Sequence, residues 1–332
     1  MWPFSNTCQS RARLVGRTVI ITGANTGIGK ETARDLYWRG ARVILACRNL
    51  EKAKEAVEEL KNIPTSSNQD REEFRGQPGE LAVCKLNLSS LASVRECAKR
   101  LSTSEPRIHL LINNAGVMAC PKEKTEDGYE LQLQSNHLGH FLLTLLLLPK
   151  ITESVPGCRI VNVSSMAHAM GKIHFNDLML DESYSPLKAY QQSKLANILF
   201  TKELARKLKE AGIDGVNTYT LHPGVIATEL GRHLDRAFFP GLRLMMKLWR
   251  PFIKTPVLGA QTTIHCAVDD NAKNETGLYY RECRATSPSM QAMNMDDAAK
   301  LWMESLRLVG LPEVEKLDDL LESISNKVIP SL

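Results

Sequence analysis

Short apolar runs alternate with longer amphipathic stretches along this chain from residue 17 to about 225. Thr18–Thr22, Arg42–Cys47, Leu81–Leu86, Ile108–Ile112, Arg159–Val163 and Val216–Leu221 are rich in Val, Ile or Leu and bounded by turn residues, which predicts strands covered on both faces. Between them, Ile28–Arg39, Leu50–Lys61, Ser90–Leu101, Gly128–Leu148 and Leu187–Ala211 have helical length. The repeated alternation predicts a single α/β domain, a doubly wound parallel sheet with helices on both faces. The polar stretch 62–80 carries Pro64, Gly76, Pro78 and Gly79 and reads as a surface insertion before the third strand, not as a domain boundary.

Composition then narrows the class. The 332 residues are 43% hydrophobic and 24% charged, enough for one large core in a globular fold. The net charge of +5 is modest and the basic residues are spread along most of the chain, which argues against a nucleic-acid partner. Eight cysteines are scattered without a C-x-x-C pair, the pattern of reduced thiols facing the cytosol, with no disulfide frame and no zinc site. No segment approaches the ~20 apolar residues that span a bilayer. Phe141–Leu148 is short and ends at Pro149, so it reads as the buried end of a helix. The opening MWPFSNTCQSRARL lacks the apolar centre of a secretory signal, so membrane contact is expected to be peripheral.

Candidate chemistry begins at a strand-to-helix junction. In TVIITGANTGIGKETA, Gly23, Gly27 and Gly29 let the backbone turn tightly and approach a pyrophosphate, while a helix N-terminus offers free N–H groups. The spacing is G-x-x-x-G-x-G; without its context it would equally suit a turn that binds nothing. The second strand ends in Cys47 and Arg48, with no carboxylate to hold a ribose 2′-hydroxyl. Guanidinium suits a 2′-phosphate, which predicts NADP(H) over NAD(H); the alternative is a solvated surface charge.

Tyr190 and Lys194 lie four residues apart in a helical pattern and so project from one face. A nearby ammonium and an oxidised nicotinamide would both favour the phenolate, letting Tyr190 exchange a proton with a substrate oxygen. Ser165 follows the strand Arg159–Val163, at the sheet edge where ligands of open α/β folds bind, and could orient that oxygen. Ser164 reads as satisfying local backbone. NNAG (Asn113–Gly116) ends another strand, and Asn136 places an amide inside a helix-length segment where burial needs a reason. His137 and His140 have H-x-x-H spacing without a third ligand, so they read as ordinary histidines, not a metal site.

Taken in order, TGANTGIG, NNAG, Asn136, Ser165, Tyr190-x-x-x-Lys194 and HPGVIAT resemble the short-chain dehydrogenase/reductase family over residues 17 to about 285. The resemblance implies a Rossmann-type domain over 17–285, an N-terminal extension over 1–16 and a C-terminal one over 286–332. It implies that Tyr190 is the acid/base, that Lys194 holds the nicotinamide ribose and acidifies the phenol, that Ser165 positions substrate, and that Asn136 holds a relay water. The cofactor NADPH/NADP+ would lie against Gly23, Asn25, Thr26, Gly27, Ile28 and Gly29. Its further contacts would be Arg48, Asn87, Asn114, Ala115, Gly116, Pro223, Gly224, Val225 and Thr228. Asn87 stands where the family usually has aspartate, and its amide oxygen could still accept from the adenine amino group.

GANTGIGKETA, ARVILACR, NHLGHFLLTLLLL, SKLANILFTKELA and KTPVLGAQT further resemble the NADPH-dependent retinol dehydrogenase branch, which implies retinal or another lipid aldehyde as substrate. A broad carbonyl or hydroxysteroid reductase and a non-catalytic NADP(H)-binding sensor remain the alternatives. The branch's usual apolar N-terminal anchor has no counterpart here. In the family, 231–256 would form a flap over the substrate. Within it, Arg243, Lys247, Arg250 and Lys254 are spaced as one helical face against Leu242, Met245, Met246 and Trp249, the pattern of an interfacial helix, with 241–250 as the contact stretch, or of an apolar lid. The expectations are peripheral contact with endoplasmic reticulum or mitochondrial membranes, and a homodimer.

Overall fold

The computed structural model describes residues 6–62, 76–226 and 254–328. Eight strands form one sheet in the order β3-β2-β1-β4-β5-β6-β7-β8. The first six are β1 (Thr18–Thr22), β2 (Arg42–Cys47), β3 (Glu80–Lys85), β4 (Leu110–Asn113), β5 (Cys158–Val163) and β6 (Val216–Leu221). Their apolar runs are continuous because both faces are covered. In β1, Ile20 enters the core on one side while Val19 and Ile21 enter the core on the other. One face carries α1 (Gly27–Trp38), α2 (Leu50–Asn62) and α6 (Pro256–Val268); the opposite face carries α3 (Leu91–Ser104), α4 (Gly139–Thr152) and α5 (Pro186–Glu210). The sheet reverses its winding between β1 and β4, which opens a crevice at the carboxyl ends of the strands.

Several expectations are corrected. The sheet is not purely parallel: β7 (Leu278–Arg281) pairs parallel with β6, but β8 (Arg284–Thr286) returns antiparallel at the edge. The helix expected over 128–148 starts at Leu131, where the Glu130 carboxylate caps the N–H groups of Gln132 and Leu133. It then passes through a π-helical turn at Gln134–Leu138, and α4 runs on past Pro149 to Thr152. An interior proline costs about 3 kcal/mol. Burying leucines, at about 1.5–3 kcal/mol each, outweighs that, and Leu145, Leu146, Leu147, Leu148 and Ile151 are all buried.

The C-terminal stretch read as an extension packs into the same core. In α7 (Met295–Leu308), Trp302 and Leu306 are buried, and in α8 (Leu317–Val328), Leu320 and Ile324 are. Most of the 62–80 insertion and of the 231–256 flap, including 241–250, lies outside the described residues. Among the described residues no helix is long and apolar enough to cross a membrane.

Candidate active site

The glycine turn, the end of β2 and the loop after β4 converge on one cavity of about 470 Å³, in the size range of ligand pockets. Gly23, Asn25, Thr26, Gly27, Ile28 and Gly29 line it, as do Arg48, Asn87, Asn114, Ala115 and Gly116, so the expected cofactor residues are brought together. Gly23 and Gly27 take left-handed backbone (φ +66 and +57). Gly29 serves close approach instead: a Cβ there would lie 2.4 Å from Asn114 Nδ2 and 2.6 Å from the Gly23 carbonyl oxygen. Thr26 is the N-cap of α1 but makes no side-chain capping bond, which leaves the helix's first N–H groups for an anion. A dinucleotide's pyrophosphate fits this end. Gly29→Ala is expected to weaken cofactor binding about tenfold or more, since overpacking costs roughly 1–3 kcal/mol; a fluorescence titration with NADPH measures it.

At the ribose end, Arg48 is exposed and Glu123 is the one carboxylate among the lining residues. Lys85, at the end of β3, donates its ammonium to the Arg48 carbonyl at 2.5 Å and so brings a second cation to the end of β2. Sequence reasoning missed Lys85; its signal is a lysine at the carboxyl end of the strand paired with β2. Asn87 departs from expectation. Its amide oxygen already accepts from the N–H and hydroxyl of Ser89 at 3.3 and 2.8 Å, closing a local turn. An adenine amino group would have to share that oxygen.

Two elements place the reacting groups. Ser165 follows β5, and Tyr190 and Lys194 project from α5, whose start is capped by the Ser185 hydroxyl accepting from Lys188 N–H. Tyr190 and Lys194 are buried, and the Tyr190 phenol lies near enough to the Ser165 hydroxyl to feel it. Ser164 donates its hydroxyl to the Lys194 carbonyl at 2.7 Å, in keeping with a backbone role.

Burial raises the pKa of Tyr190 above its usual value, and the nearby Ser165 hydroxyl opposes that rise. Lys194 directs its ammonium at the Val163 carbonyl, 3.0 Å away, and lies 5.8 Å from the centre of the tyrosine ring. Burial lowers its own pKa to about 8. The phenol is therefore protonated at neutral pH, the form that donates a proton to a carbonyl oxygen. Because Lys194 loses its charge as pH rises through about 8, catalytic efficiency is expected to fall above that pH. Lys194→Arg should move the fall to higher pH, as a pH–rate profile would record.

Asn136 sits in the π-helical turn and is fully engaged by protein. Its amide oxygen accepts from Val117 N–H at 2.8 Å, and its Nδ2 donates to the Val117 carbonyl and the Ser193 hydroxyl, both at 2.9 Å. Only its backbone carbonyl reaches further, and that accepts from His140 Nδ1 at 3.0 Å. The bond pattern assigns the tautomer. Thr22 Oγ1 accepts from the N–H groups of Asn114 and Ala115, so its proton goes to His140 Nε2, and Nδ1 carries hydrogen. Burial drives the His140 pKa down to about 4, so the ring is neutral. One chain of bonds thus joins the glycine turn, NNAG and Asn136. Sequence reasoning missed Thr22 and His140, although His140 stands one turn beyond Asn136 and so faces the same way.

Pro223, Gly224 and Val225 follow β6, whose end is tied to that of β5 where Ser164 N–H donates to the Leu221 carbonyl at 2.7 Å, but they are not among the residues lining the cavity. Thr228 lies outside the described residues.

A family model described as short chain dehydrogenase matches residues 17–237. The chain belongs to that family. It is 48% identical to human retinol dehydrogenase 11 over 308 residues, 93% of this chain and 90% of that protein. It is 46% identical to human retinol dehydrogenase 12, covering 92% and 90%, and 46% identical to mouse retinol dehydrogenase 13, covering 92% and 87%. Among solved structures, a putative uncharacterized protein from Mycobacterium paratuberculosis superposes with a TM-score of 0.70 at 35% identity, covering 92% of this chain and 98% of that one. A putative NAD(P)-dependent gluconate 5-dehydrogenase from Beutenbergia cavernae with bound NADP shares the fold, with a TM-score of 0.61 at 23% identity and coverage of 81% and 96%. This short-chain dehydrogenase is accordingly an oxidoreductase acting on CH–OH groups with a nicotinamide cofactor.

His137 and His140 are both buried in this dehydrogenase and hydrogen-bonded to Ser305 and Thr22. Among the described residues, one His/Cys/carboxylate group has metal-like spacing: Cys8, His265 and Asp269, with ligand atoms within 4.8 Å of one another. Burial pushes the Cys8 thiol up to about 11, and the charges of Arg39 near Cys8 and Arg159 near His265 oppose a bound cation.

Proposed function

We propose that this dehydrogenase uses NADP(H) to interconvert a hydrophobic alcohol and its aldehyde or ketone, with retinal or another lipid aldehyde reduced at the site. The observation that carries the reading is the buried Tyr190 phenol near Ser165, on a helix tied to the cavity: Ser193 donates to the Tyr190 carbonyl, Asn136 to Ser193, and Val117, which lines the cavity, to Asn136. The nicotinamide, when bound, supplies the hydride. Ser165 orients the substrate oxygen, Tyr190 donates its proton to that oxygen, and the Lys194 ammonium favours the phenolate that results.

Arg48 with Lys85 supports the phosphorylated cofactor, and the names of the relatives support a retinoid-like substrate. The runner-up is a broad carbonyl or hydroxysteroid reductase on the same scaffold. NADPH oxidation with all-trans-retinal, a medium-chain aldehyde and a steroid ketone tests the choice. Turnover of retinal supports the first reading, and turnover of the ketone alone favours the second. Binding of NADPH without turnover of any of them would leave a non-catalytic sensor. The basic and apolar faces of 241–250 support peripheral, cytosol-facing membrane contact, which flotation with anionic liposomes tests.

A further inference from the structure

Lys254 is a buried lysine far from the catalytic motifs in sequence, only 4% exposed. A buried ammonium needs a partner, and this one meets the Glu282 carboxylate at 2.5 Å. The carboxylate is held from its other side as well: Asn6 N–H donates to its second oxygen at 3.3 Å, and Asn6 Nδ2 donates to the Glu282 carbonyl at 3.0 Å. Glu282 and Cys283 form the turn between β7 and β8, both with left-handed backbone (φ +51 and +56). Turns of this kind favour Asn-Gly, so a glutamate here is a strained choice, of the sort that gathers at working sites.

The other end of Lys254 reaches the active-site edge. Its N–H donates to the Val225 carbonyl at 2.9 Å, and it forms a parallel bridge with Ile226. Its stem lies against Gly224, where a Cβ would come within 3.0 Å of Cδ and 3.1 Å of Cε. Gly224 has φ +94, and its N–H donates to His222 Nδ1 at 3.1 Å. Burial lowers the His222 pKa to about 4, so the ring stays neutral and Nδ1 can accept. The turn 222–225 is therefore braced from inside by its histidine and from outside by the lysine.

We propose that Lys254 and Glu282 are a positioning pair that fixes the 222–225 turn in the shape required beside the nicotinamide half of the cofactor. The proposal rests on the cofactor reading above and adds residues to it. The experiment uses the full chain with two probes: NADPH, which occupies the whole site, and adenosine 2′,5′-bisphosphate, which occupies only the adenosine half. Lys254→Gln and Glu282→Gln are expected to raise the Kd for NADPH roughly tenfold, as loss of a charge-assisted contact does, and to leave the Kd for adenosine 2′,5′-bisphosphate unchanged. Lys254→Arg is expected to recover most of the loss. Should Lys254→Gln not fold, the double variant Lys254→Met/Glu282→Gln leaves no buried charge unpaired and carries the same comparison. Unchanged NADPH affinity overturns the proposal, and so does equal weakening of both probes, which marks a merely structural pair. A wild-type chain that prefers NADH overturns the NADP(H) reading alone, and the comparison is then made with NADH and adenosine 5′-monophosphate.

Discussion

Replacing Tyr190 by phenylalanine is expected to lower kcat for aldehyde reduction by about 10²–10⁴-fold, the range that a positioned proton donor contributes. The phenylalanine keeps the ring in the same buried slot and removes only the hydroxyl, so the fold and NADPH binding should survive. The loss should therefore appear in kcat and kcat/KM together. Ser165 would keep the Ala167 N–H that its hydroxyl already accepts at 3.2 Å. Steady-state assays at saturating NADPH, alongside NADPH fluorescence titration of the same variant, separate chemistry from binding.

The second large effect is expected at Arg48. Substitution by glutamate removes a guanidinium from the end of β2 and puts a carboxylate there, where it can hold a 2′-hydroxyl but repels a 2′-phosphate. A hydrogen bond to a charged group contributes about 1.5–3 kcal/mol. With repulsion added, kcat/KM for NADPH should fall about 100-fold while that for NADH holds or rises. Lys85, donating to the Arg48 backbone, remains in place in the variant and limits the reversal. Equal efficiency with both cofactors in the wild type would remove the basis for this prediction.

Much of the scaffold was legible because local pattern and tertiary role agree. The runs of β1, β2 and β6 are bounded in the structure where the sequence places them, since a strand covered on both faces is mostly apolar or β-branched, and β6 buries Thr218 and Thr220 with their hydroxyls bonded to backbone carbonyls. β7 and β8 escaped notice because runs of four and three residues carry no period, and their pairing depends on β6. The π-helical turn was equally hidden: Gln134–Leu138 differs from ordinary helix in its hydrogen-bond register and not in composition.

At the site, identities were readable and partnerships were not. Tyr190, Lys194 and Ser165 declare themselves by spacing and by strand ends. That Lys194 points at the Val163 carbonyl, or that Asn87 turns its oxygen toward Ser89, depends on backbone geometry that no linear pattern encodes. Thr22 and His140 show the same limit, because each acts through a bond to a residue distant in the chain.

Proton transfer from Tyr190 requires contact with the substrate oxygen, and a crystal structure of the complex with NADP+ and a substrate-like alcohol would reveal whether that contact forms. The measured quantity is the distance from Tyr190 Oη to the alcohol oxygen. A hydrogen bond of about 2.5–3.0 Å is expected, with Ser165 reaching the same oxygen. An alcohol bound elsewhere, out of reach of the Tyr190 phenol, would contradict that expectation.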